Sequence, residues 1–311
     1  MAATNWEISG FGAPWDGMRT QPEQAATDEQ PPLPERLSPS RAEDFAKCPR
    51  LFYYRAVERR FEPGTPATIR GRVVHGALER LFELPRIERT ESRALELIES
   101  EWQAIADDPD VTAAEVDADA IRDEAANMVR RYFSVEDPRT FDADAQELRL
   151  TAQLGGVEIV GILDRLEVGP DGVTITDYKT GRAPKPDYQD GAFFAMRVYA
   201  ALLTEVEGIH VGSLRLIYLG GDEPVVLTRR TNPDDRSRAV ERMVSIWKGI
   251  RRQWRSGEWE PKPSKLCQWC YFSDICPAFV GDAPLEDPRE DRRLIEVGRQ
   301  HPGIAGLAGL T

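Results

Sequence analysis

Apolar residues at helical spacing mark the start of ordered structure. Ile69, Val73, Val74, Ala77, Leu78, Leu81 and Phe82 recur at three- and four-residue steps, which predicts an amphipathic helix over about 67–84. Ahead of it, in LSPSRAEDFAKCPRLFYYR, Ser40 and Glu43 have the spacing of a capping box, so a short helix is expected to begin there and run towards Cys48. Leu95, Ile98, Trp102 and Ile105, then Ile121, Met128 and Tyr132, continue the helical period, and residues 87–147 are expected to form a helical subdomain. The period then changes to two. VEIVGILDRLEV, the turn GPDG and VTITDYKTG read as a β-hairpin. A helix over about 188–206, strands at about 212–219 and 224–230, and a long helix over about 233–256 follow. Residues 1–36 show no sustained period and are expected to be a mobile tail, and the polar stretch 281–311 a second tail.

The hairpin brings chemistry together. Side chains two apart share a strand face, so Asp164 joins Ile162, Leu166 and Val168, while Asp177 and Lys179 join Val173 and Ile175. If Gly169–Gly172 closes the turn, Val168 pairs with Val173, Leu166 with Ile175 and Asp164 with Asp177. Opposed carboxylates roughly 4.5–5.5 Å apart repel. A divalent cation removes that penalty, and hard oxygen ligands suit Mg²⁺ or Mn²⁺. Lys179, one pleat beyond Asp177, is placed to offset charge on a phosphate. Asp-x-Lys alone is a common pattern and usually marks an exposed strand end; the register sets it apart here. On the 67–84 helix, His75 shares a face with Glu79, four residues on. A lone helical histidine is more often packed than ligating, so it matters only together with the hairpin.

Four cysteines are too few for a disulfide scaffold. Cys267-Gln-Trp-Cys270, Cys276-Pro277 and the distant Cys48-Pro49 supply four thiolates, which either a [4Fe–4S] cluster or tetrahedral Zn²⁺ would satisfy. A zinc ribbon usually has two C-x2-C knuckles and this chain has one, so the cluster is favoured, tying the first ordered segment to the last.

The order CPRLFYY, GRVVHGALE, GILDR, DYKTG thirteen residues on, a helix bearing Tyr199, and C-x2-C-x5-C resembles the RecB-type exonucleases of the PD-(D/E)XK superfamily, in the iron–sulfur branch. CRISPR-associated single-strand exonucleases and the AddB nuclease domain belong to that branch. The resemblance spans about residues 37–280. It implies an α/β fold: a restriction-endonuclease-like mixed sheet flanked by helices, with residues 87–147 as an acidic helical insertion and 261–280 as the cysteine segment. It also implies Asp164, Asp177 and Lys179 as catalytic residues, His75 as a further metal ligand and the Tyr178 backbone carbonyl as another. In the family, Gln-x-x-x-Tyr commonly follows the lysine; here Tyr199 is present, position 195 is Ala195, and Gln189 has the wrong spacing to replace the glutamine.

Charge changes the picture last. The 311 residues carry a formal −13, which argues against a generally basic nucleic-acid binder. Residues 87–147, however, hold 18 acidic and 6 basic side chains. Residues 41–60 are net +3 and 229–255 net +6, and both include aromatics. Arg50 and Arg55, among Phe52, Tyr53 and Tyr54, are therefore candidates with Tyr199 for substrate contacts in a single-strand groove. Trp247 and Trp254 are expected to be core. No stretch suits a membrane helix, and MAATNWEISGFGAPWDG does not read as a signal peptide, so a cytoplasmic protein is expected. Together these readings predict a Mg²⁺- or Mn²⁺-dependent DNA exonuclease on single-stranded or frayed ends, with any unwinding left to a helicase or repair partner. The alternatives are a non-catalytic Fe–S DNA-binding or adaptor subunit and, less favoured, a sequence-specific endonuclease.

Overall fold

The computed structural model describes residues 31–280. The tails expected at 1–36 and 281–311 lie outside the described residues, apart from 31–36. The last of these are anchored: Arg36 pairs with Glu158, and Leu37 makes a parallel bridge to Ile159.

Five strands form one mixed sheet: β1 (Ala145–Leu154), β2 (Val157–Gly169), β3 (Gly172–Lys179), β4 (Val211–Tyr218) and β5 (Val225–Arg230). They lie in chain order, antiparallel except for the parallel pair β3–β4. A parallel neighbour needs a crossover, supplied by helices α7 (Gln189–Ala192) and α8 (Phe194–Glu207). Helix α8 ends at Gly208, whose φ of 65° puts it in the left-handed region. The expected mixed sheet flanked by helices is present.

Two apolar layers cover the sheet. Helix α8, with α9 (Pro233–Ser256) and α1 (Pro39–Lys47), packs on a core that includes Leu163, Leu166, Ile175 and Leu216. Trp247 and Trp254 pack against this core, as expected. The other layer is α3 (Pro66–Glu83), α4 (Glu91–Ile105) and α6 (Ala118–Val135), sharing a core with Tyr178, Ile217 and Leu219. Thr65 caps α3 and Pro66 starts it, an arrangement that satisfies donors the first turn leaves free.

Three local expectations are corrected. The cap of α1 is Ser38 rather than Ser40, because Pro39 takes the first helical position and the Ser38 hydroxyl accepts from the Arg41 amide. The insertion is helical only to Val135. Strand β1 begins at Ala145, where Leu148, Leu150, Ala152 and Leu154 alternate and add an edge to the sheet.

The third correction concerns faces. Val168 pairs with Val173 and Leu166 with Ile175 as expected, but the ladder between β2 and β3 ends at Arg165–Thr176. Leu163 and Leu166 both enter the same core, although three residues apart, and so do Ala145 and Leu148 of β1. An unbroken strand would put each pair on opposite faces. The β1–β2 ladder skips one pair between them, Glu147 and Asp164, and Glu147 has a left-handed φ of 43°. Alternation therefore reverses in both strands at that pair. Ile162 is 41% exposed and does not share a buried face with Leu166. Irregularities of this kind re-aim side chains beside active sites.

Candidate active site

Where the strands lose their ladder, Asp164 turns its carboxylate into the gap: Oδ2 accepts from the Tyr178 amide at 2.7 Å and lies 3.4 Å from His75 Nδ1. The N–H and C=O of one strand residue point to the same edge, so the Tyr178 carbonyl is turned towards this gap as well. Asp177 is buried, and its Oδ2 is 2.7 Å from Lys179 Nζ. The expected Asp164–Asp177 ladder pair is not formed: Asp164 bonds the Tyr178 amide instead, and its charge acts on Asp177.

Tyr199 reaches the same place from α8. Its ring lies so close to β2 that a Cβ on Gly161 would come within 2.6 Å of it. The glycine in GILDR therefore makes room for the tyrosine. Gln189 spends its amide on the Pro184 carbonyl (3.5 Å).

Charges in the gap oppose one another. Burial and then Asp164 push Asp177 up to about 6. Burial also works against ionised Asp164, but His75, the Tyr178 amide and Lys179 outweigh it and hold its carboxyl below the ordinary value. Burial disfavours the charged form of His75, yet Asp164 overrides this and lifts the imidazole to about 9. Asp177 and Asp164 likewise keep Lys179 protonated against its burial. One residue was missed in the sequence. Glu147 Oε, His75 and Asp164 offer ligand atoms within 4.8 Å of one another. Burial, Asp164 and Glu79 raise Glu147 to about 7. The alternating residues after it mark the strand in the sequence, but its left-handed turn towards Asp164 leaves no pattern there.

Beside the gap, under the same helix α3, lies a second cluster that was not foreseen. Arg165, 1% exposed, donates to the Tyr178 hydroxyl at 2.5 Å and pairs with Glu136 and Glu167. Arg215 also pairs with Glu136. Rings of Phe82, Phe141 and Tyr178 enclose the guanidinium.

The four cysteines line one cavity of about 140 Å³ between residues 47–55 and 261–279. None is in a disulfide. The Lys262 amide donates to Cys48 Sγ (3.4 Å) and the Ser264 amide to Cys267 Sγ (3.3 Å). Amides of Phe272 and Ala278 serve Cys270 and Cys276, partly opposing the burial that pushes those thiols up. Arg50 lines the same cavity, and Arg55 is spent on Glu62 and Asp44. Phe52 and Tyr54 are buried, which corrects their expected place as stacking platforms; Tyr53 also packs against the core.

Two carboxylates, an imidazole and a lysine meet inside the sheet where the β2–β3 ladder ends, and donors of this kind suit a hard divalent cation. The model of the PD-(D/E)XK nuclease superfamily matches residues 36–277, and the chain belongs to that superfamily. The Gene 69 protein of Mycobacterium phage L5 is 29% identical over 141 residues, covering 43% of this chain and 45% of that protein. The chain thus matches less than half the length of that relative. Among solved structures, a Eubacterium rectale protein named "Putative exonuclease" shares the fold: TM-score 0.54, 15% identity, 81% of this chain and 91% of that one.

Proposed function

We propose that the chain is a Mg²⁺- or Mn²⁺-dependent deoxyribonuclease that acts as an exonuclease on single-stranded or frayed DNA during repair or recombination. Convergence of Asp164, Asp177, Lys179 and His75 on one gap carries this reading. Asp164, Asp177, the Tyr178 carbonyl and His75 would hold the cation, with Glu147 beside them. A cation bound there supplies Lewis-acid stabilisation of charge on the phosphoryl oxygens. Lys179 is kept protonated by its carboxylate neighbours, so it acts as a donor that orients the attacking water and offsets phosphate charge, not as a base. Tyr199 closes the gap on the α8 side.

The cysteine cavity is read as the seat of a [4Fe–4S] cluster. A single Zn²⁺ with Zn–S bonds of about 2.3 Å would draw four sulfurs to within roughly 4 Å of one another. The cavity of about 140 Å³ that all four cysteines line has room for the larger group.

Release of nucleotides from end-labelled single-stranded DNA in Mn²⁺ tests the nuclease reading. Asp177→Ala is expected to reduce the rate roughly 10³-fold or more; equal rates would overturn the assignment.

A further inference from the structure

Of the cations lining the cysteine cavity, Arg50 and Lys262 have no carboxylate partner among the described residues, and Lys262 is held by a carbonyl. Lys47 pairs with Glu43, Arg55 with Glu62 and Asp44, and Lys262 Nζ donates to the Ala46 carbonyl. Arg50 Nε is buried and has no hydrogen-bond partner among the described residues. Leaving a buried donor unsatisfied is costly, and more so for a charged group.

The guanidinium is also held in place. It lies over the rings of Tyr53 (5.4 Å) and Tyr54 (5.5 Å), in the π-helical turn Tyr53–Val57 that follows α2 (Pro49–Phe52). The Tyr54 hydroxyl donates to the Ile275 carbonyl at 3.1 Å, and its ring packs against Phe272 at 5.0 Å. Arg50 is therefore carried on a shelf pinned to the peptide that bears Cys270 and Cys276.

Four thiolates around either Zn²⁺ or an oxidised [4Fe–4S] core leave a net charge of about −2 in a largely enclosed site. Backbone amides supply dipoles but no full charge. We propose that Arg50 is the counter-cation of the four-cysteine centre, donating Nε–H to a sulfur of the group held there. This rests on the reading of the cysteines as metal ligands. It moves Arg50 from the DNA groove expected from sequence to a role in holding and tuning the centre.

The test uses the full-length protein reconstituted anaerobically with iron and sulfide, as wild type, Arg50→Gln, Arg50→Lys and Arg41→Gln. Arg41 pairs with Asp44 and does not line the cavity, so its variant controls for loss of one positive charge nearby. Two quantities are read: the cluster midpoint in a dithionite titration followed by absorbance, and the half-time of iron loss to a chelator. A neighbouring cation favours the more negative, reduced cluster. Arg50→Gln is expected to shift the one-electron equilibrium about tenfold towards the oxidised form, a midpoint 59 mV lower, and to shed iron several-fold faster. Arg50→Lys should restore most of the midpoint but less of the retention, since it keeps the charge and loses Nε; it also serves if Arg50→Gln does not fold. Matching values in wild type and Arg50→Gln, or an equal shift in Arg41→Gln, would overturn the proposal. If wild type takes up zinc and shows no iron–sulfur absorbance, the cluster reading fails and Arg50 is judged by zinc release to a chromogenic chelator, where equal rates sink it. Wild type that binds neither metal removes both readings.

Discussion

Asp164 and Arg165 are neighbours on β2, yet they stand in adjacent charge clusters of opposite character beneath α3. The Arg165 cluster balances itself: Arg165 and Arg215 meet Glu136 and Glu167, and Tyr178 and Tyr132 take up further donors. The Asp164 cluster does not. Asp164, Asp177 and Glu147 face Lys179 and His75, and the acidic surplus appears as raised values for Asp177 and Glu147. A self-balanced buried cluster has a structural role. An acidic surplus is what a bound cation would offset.

The largest effect that would break this comparison lies on the balanced side. Arg165→Leu strands Glu167 beside an apolar cage and leaves Glu136 with Arg215 alone, and losing one partner of a buried pair costs about 3–5 kcal/mol. Urea unfolding should show that loss, whereas a shift below ~1 kcal/mol would mean the cluster is not structural. Next comes Glu147→Gln, which removes a candidate ligand without changing shape. Mn²⁺ affinity measured calorimetrically is expected to weaken roughly 10- to 100-fold, with the unfolding midpoint unchanged. Gly161→Ala should act through Tyr199, displacing its ring at a cost of about 1–3 kcal/mol. Its DNA hydrolysis rate should fall while Mn²⁺ affinity holds, separating the tyrosine from the ligands.

The smallest effect is on pH. Burial disfavours ionised Glu136, but Arg165 and Arg215 outweigh it and hold the carboxyl below its ordinary value. Its ionised form therefore adds stability that is complete above the ordinary carboxylate range and disappears as pH falls through the lowered native value. The stability difference between wild type and Glu136→Gln should be constant above about pH 5 and shrink below it. A difference that grew towards acid would reverse the sign and break the assignment.

The hairpin was legible because its signal is local. A period of two and the Gly169–Gly172 turn fix which residues oppose one another, so Val168–Val173 and Leu166–Ile175 follow from spacing alone. His75 was legible only as a helical residue on one face; that it meets Asp164 depends on α3 packing over the sheet. Glu147 was lost because its strand was read as the end of a helical insertion. Arg165 drew no reading from sequence, since nothing local announces that a strand has reversed its faces.

Sequence by itself determined most of the elements, the hairpin register next to its turn and the four-cysteine spacing. These depend on steps of two, three or four residues, where covalent geometry sets direction. Only tertiary structure decided that Asp164 would satisfy the Tyr178 amide instead of a ladder, that Glu147 would turn in beside it and that Arg165 would be buried next to them. Each of these depends on which distant surface covers a residue and whether its charge finds a partner there. A local pattern carries no information about either.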